Sequence, residues 1–126
     1  MVLADTSVWI DHFREGRSSA MASLLTEGLI VIHPFVVGEL ACGNLKHRTA
    51  VLKDLRALSP AIVATNAEAF QLLEDRRLWG GGLGWVDIHL LASALISHCR
   101  LWTLDRRLAE AAAQLSLEYR DQRRLM

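Results

Sequence analysis

The sequence predicts an α/β protein built on a parallel sheet, and three observations point there. Short apolar runs of strand length alternate with helical patterns along the 126 residues. The runs are apolar at consecutive positions, as strands covered on both faces are. Two of them end on an aspartate: Met1–Asp5, and Leu101–Leu104 followed by Asp105. Strands alternating with helices give parallel pairing, and such sheets bind ligands beyond the carboxyl ends of their strands.

Taken in order, Met1–Asp5 reads as the first strand, and the helix after it begins at or just beyond Asp5. Ser18–Glu27 has helical period, with Gly28 as its stop. Leu29–His33 is the second strand, and Pro34 suits the first turn of a helix running to about Gly43. Lys46–Leu58 continues in helical period, and Ala61–Ala64 reads as the third strand. Thr65-Asn66-Ala67-Glu68 is a capping box opening a helix to about Trp79. Gly80–Gly84 is the one stretch that reads as a flexible connection. Val86–His98 is apolar on nearly every face and predicts a buried helix. Leu101–Leu104 is the last strand, and Asp105–Leu115 the last helix.

This length is that of one domain, 1–126, with a real core. Hydrophobic residues make up 52% of the chain and mean hydropathy is +0.21, yet no apolar run approaches a membrane span. Asp5, Asp11 and Arg14 break any signal-peptide core. The apolar surplus is therefore expected to cover a protein interface, that of a homodimer. Formal net charge is zero, so no global field attracts nucleic acid. Basic clusters such as Lys46–Arg48, Arg76–Arg77 and Arg106–Arg107 read as solvated helix faces. Cys42 and Cys99 have no metal-like spacing and suit a reducing cytoplasm.

Four acids stand out. Glu39 is the sole charge in "PFVVGELACG", and Asp87 the sole charge between Gly80 and Ile96. Each acid also has a structural reading: Asp5 and Asp105 as helix caps, Asp87 as a macrodipole partner, Glu39 on an exposed helical stripe. Jointly they place two carboxylates at strand ends and two near the starts of flanking helices. Carboxylates converging on one crevice repel one another, and a divalent cation relieves that. Oxygen-only ligands suit Mg²⁺ or Mn²⁺, while the scattered histidines form no zinc pattern.

"ADTSVWIDHF", "PFVVGELACG", "GWVDIHLLASAL" and "LWTLDRRL" together resemble the motifs of PIN-domain ribonucleases, most of all VapC-type toxins of toxin–antitoxin pairs. The resemblance covers nearly the whole chain. It implies a three-layer α/β/α fold with a central parallel sheet of about four to five strands. It also implies an acidic tetrad, Asp5, Glu39, Asp87 and Asp105, binding Mg²⁺ or Mn²⁺, with Thr6 and Thr103 as hydroxyls beside the acids. The activity implied is hydrolysis of RNA phosphodiesters by metal-activated water. A small antitoxin is implied as inhibitor, its apolar segment seated near Trp9, Phe13, Met21 and Leu25 and its arginine or lysine entering the acidic crevice. DNA is then met only indirectly, through the antitoxin, and no membrane is involved.

Two other readings compete. A receiver-like signalling domain needs a lysine near the last strand, and no lysine follows Lys53. A non-catalytic α/β module binding RNA or protein is the alternative that an RNA cleavage assay separates. Gly80–Gly84 lacks the Gly-Lys-Ser/Thr ending of a phosphate loop, and no Ser-His-Asp order or reactive cysteine setting points to covalent catalysis.

Overall fold

The computed structural model describes residues 1–15 and 19–121. Ser18, read above as a helix start, lies outside the described residues. In chain order the elements are β1 (Val2–Ala4), α1 (Thr6–Glu15), α2 (Ser19–Thr26), β2 (Ile30–Ile32), α3 (Pro34–Cys42) and α4 (Arg48–Arg56). There follow β3 (Ser59–Pro60), α5 (Asn66–Asp75), α6 (Trp85–Ser97), β4 (Arg100–Trp102) and α7 (Arg106–Gln114). The strands form one parallel sheet in the order β3-β2-β1-β4, the centre of a three-layer α/β/α fold. Beyond β4, Glu118 makes a single parallel bridge to Leu101.

β1 pairs on both sides, Leu3 opposite Val31 and Leu101, and every residue of β1 and β2 is buried. That burial explains the unbroken apolar runs, since neither face of these strands meets water. After β1 the chain leads towards β2, whereas after β4 it leads outwards to the bridge at Glu118. The chain therefore diverges between the carboxyl ends of β1 and β4, which is where open parallel sheets leave a crevice.

The third strand corrects the reading of Ala61–Ala64. Pairing occupies Ser59–Pro60, on the edge where a proline's missing N–H costs nothing, and ends with the Ala61 N–H on the Ile32 carbonyl. The chain then leaves the sheet for α6: the Ile62 N–H donates to Ser97 Oγ and the Ala64 N–H to Ser93 Oγ. Side-chain hydroxyls take the place of a ladder there, and no residue pattern announced that.

α5 also ends earlier than the expected Trp79. Arg77 adopts φ 52°, and the Leu78 N–H closes back on the Leu73 carbonyl. α2, α6 and α7 end the same way, at Gly28, His98 and Ser116. Only one of these four left-handed residues is glycine, so three of the stops carried none of the usual sequence signal.

Candidate active site

Asp5 follows directly on β1 and is 6% exposed. The Ser7 hydroxyl donates to its Oδ1 at 2.5 Å, the Thr103 hydroxyl to its Oδ2 at 2.5 Å, and the Val8 N–H to Oδ1 at 3.3 Å. The last of these is the helix-capping contact expected of an aspartate there. Burial pushes the Asp5 carboxyl up, against the opposing pull of these donors.

Ser7 and Thr103 each serve twice. Ser7 Oγ accepts the Leu104 N–H at 2.9 Å, and Thr103 Oγ1 accepts the Asp105 N–H at 2.9 Å. Each hydroxyl thus spends its proton on Asp5 and a lone pair on the β4–α7 turn, which ties the two strand ends together. Asp105 in turn caps α7, its Oδ1 accepting the Arg107 and Leu108 N–H groups. Glu39 is exposed on α3 and accepts the Thr6 hydroxyl at 2.6 Å. Asp87, in the first turn of α6, accepts the Gly84 N–H at 2.9 Å. Burial pushes its carboxyl up, the Gly84 amide opposes this, and the charges of Asp105 and Glu39 push it up further.

The structure links Asp5 to the Asp105 backbone by contact, and Asp87 to Asp105 and Glu39 by charge alone. Thr6, next to Asp5, reaches Glu39; Thr103 bridges Asp5 to the Asp105 backbone; Asp87 feels both Asp105 and Glu39. The structural roles foreseen for the acids are present as well: Asp5 and Asp105 cap helices through Oδ1, and Asp87 holds the Gly84 amide through Oδ2. Ser7 was absent from the expected site, although its place two residues after Asp5 was the available signal.

The donor set is all oxygen and carries mutual repulsion, the chemistry that suits Mg²⁺ or Mn²⁺. Among the described residues no three His, Cys, Asp or Glu side chains are drawn close enough to hold an ion between them.

The histidines serve the scaffold. His33 is fully buried; its Nδ1 accepts the Phe35 N–H, capping α3, and its Nε2 lies 3.1 Å from Ser93 Oγ. Accepting at Nδ1 fixes the neutral tautomer with the proton on Nε2. Burial, then the neighbouring His89 charge, lower its pKa to about 4. Trp9 and Met21, expected to line a groove for a partner, are core residues at 2% and 0% exposure. Helical spacing alone cannot tell the inner face of an apolar helix from the outer. Phe13 and Ile10 are exposed on α1, and Leu25 is half-buried.

Among the described residues, no helix is long and apolar enough to cross a membrane. The PIN domain family model matches residues 2–114. Ribonuclease VapC32 of Mycobacterium tuberculosis, in strains CDC 1551 / Oshkosh and ATCC 25618 / H37Rv, is 46% identical over 115 residues, covering 90% of this chain and 92% of the relative. With its parallel sheet, and with this match over most of its length, the chain belongs to the PIN domain family, as a VapC-type member.

Proposed function

We propose that this chain is a cytoplasmic endoribonuclease that uses Mg²⁺ or Mn²⁺, held by Asp5, Glu39, Asp87 and Asp105, and that it is the toxin of a toxin–antitoxin pair. The observation that carries this is the tie between the ends of β1 and β4, where two hydroxyls grip Asp5 and bind the turn leading to Asp105. Its relatives' name, ribonuclease, supports RNA as the substrate. A bound metal supplies a water of lowered pKa and offsets charge developing on the phosphate.

The chain's own residues prepare that chemistry. Ser7, Thr103 and the Val8 N–H hold Asp5 in one orientation, so it enters the reaction without reorganising. Thr6 steadies Glu39, whose side chain is otherwise free in solvent. Asp87 is half-buried and binds the Gly84 amide through Oδ2, leaving Oδ1 open among the described residues. Of the two candidates, Asp87 would take the proton of the attacking water, since both Asp5 oxygens already accept hydrogen bonds. Thr6, Ser7 and Thr103 thus act as positioning residues.

Two partners complete the reading. An inhibitor's apolar segment meets Phe13 and Ile10 on α1, while its arginine or lysine enters the acidic cleft and displaces metal and phosphate. A second copy covers a row of rings: Phe35, His89, Trp85 and Phe70 follow one another at 5.0, 4.7 and 4.6 Å, with Phe35, Trp85 and Phe70 exposed.

The test is incubation of purified protein with total cellular RNA and Mg²⁺, with cleavage sites mapped. Discrete cuts made by the wild type and absent with Asp87→Asn are expected. Intact RNA under every metal condition would leave a binding module, the competing reading.

A further inference from the structure

We propose that Arg107, laid against Gly82, positions the substrate phosphate beside the acidic cleft. This deepens the ribonuclease reading and rests on it. The loop 80–84 touches two parts of the site. At Gly84 its N–H holds Asp87. At Gly82, where φ is +87°, it approaches Arg107 so closely that a Cβ would lie 2.5 Å from Nη1, 2.7 Å from Cδ and 2.9 Å from Cζ. The arginine's stem and head therefore lie along the glycine, and a side chain there would make them shift. Next to this contact is a cleft of about 660 Å³ lined by Gly81, Asp105, Arg106, Arg107 and Glu110.

The two arginines of that cleft differ. Arg106 Nε pairs with Glu110 Oε1 at 3.2 Å, whereas Arg107 has no carboxylate partner among the described residues. A polyanion approaching four carboxylates is repelled, and a cation already paired offsets little of that. Arg107 is the uncommitted cation two residues from Asp105, and a guanidinium's planar fork can grip two phosphate oxygens at once. The glycine loop so becomes part of the substrate site through its contact with Arg107.

The experiment measures binding of a labelled single-stranded RNA to protein carrying Asp87→Asn, across a series of KCl concentrations, with Arg107→Gln, Arg107→Lys or Arg106→Gln added. Arg107→Gln is expected to weaken binding about tenfold and flatten the slope of log K against log[salt] by about 0.7, the share of one single-strand phosphate. Arg107→Lys restores the slope and only part of the affinity, because it keeps the charge and loses the fork. Arg106→Gln removes the same charge one residue away and changes both by less than twofold. Equal losses from the two glutamine variants would overturn the proposal in favour of a diffuse field. Unchanged affinity and slope with Arg107→Gln, in a protein whose wild type cleaves RNA, overturns it while the ribonuclease reading stands. A wild type that neither binds nor cuts RNA overturns both.

Discussion

His33 and Asp87 are both withdrawn from water, and pH acts on them in opposite senses. His33 is neutral in the fold, its pKa lowered to about 4 by burial and by His89. The unfolded chain takes up that proton near pH 6.5, so stability is full above pH 6.5 and falls as pH drops towards 4. The loss amounts to about 3 kcal/mol at most, from about 1.36 kcal/mol per unit of pKa difference. We predict that His33→Asn, which keeps an N-cap acceptor but does not titrate, flattens the fall in Tm between pH 7 and 5; equal slopes would refute it. Asp87 has its pKa raised, so its contribution runs the other way: stability is lost as pH rises through the folded value and the carboxyl ionises. Without metal at pH 7.5, Asp87→Asn is expected to stabilise by about 0.5–1 kcal/mol, the size of partly screened repulsion, and the gain shrinks on acidification. Asp5→Asn gains less, because Ser7 and Thr103 already aim protons at the carboxylate. Thermal melts in chelator from pH 4 to 8 check both.

Between elements, the joint that sets the site runs from β1–α1 to β4–α7 through Ser7 and Thr103. We predict that Ser7→Ala costs about 1 kcal/mol of stability, since the Leu104 N–H loses its acceptor, and lowers cleavage about tenfold with RNA affinity unchanged. Denaturant melts and steady-state kinetics decide; an equal loss of affinity would contradict a positioning role. This joint was only half legible. Asp5 and Asp105 could be read because a strand's end is visible as the end of an apolar run. Ser7 was passed over despite its place two residues after Asp5, because its further partner, the Leu104 N–H, lies across the chain, where only the sheet order brings it. The helices were legible where caps announce them, as at Thr65 and Glu68, whose reciprocal bonds form. The ends of α6 and α7 fell within a residue of the expected ones, whereas the stop of α5 at Arg77 was missed, because a left-handed residue other than glycine leaves no signature. At β3 the apolar run Ala61–Ala64 belonged to an α6 contact rather than to the sheet.

On the whole molecule, the parallel architecture followed from the alternation of elements, and the apolar surplus was read as a homodimer interface without saying where it lies. Phe70 is 55% exposed and ends the row of rings from Phe35 through His89 and Trp85. We predict a dimer in sedimentation at micromolar concentration and a monomer for Phe70→Glu, with an unchanged circular dichroism spectrum. A wild type that stays monomeric counts against this face.

The central claim is that Asp5, Glu39, Asp87 and Asp105 form one metal site that serves RNA hydrolysis. Equilibrium Mn²⁺ binding, followed by electron paramagnetic resonance in the wild type and in Asp5→Asn, Glu39→Gln, Asp87→Asn and Asp105→Asn, tests it most directly. Each substitution is predicted to weaken Mn²⁺ binding by about tenfold or more, the loss of a full ligand charge, with cleavage falling in parallel. Undiminished Mn²⁺ binding in all four variants, or full RNA cleavage by metal-free protein in chelator, would contradict it.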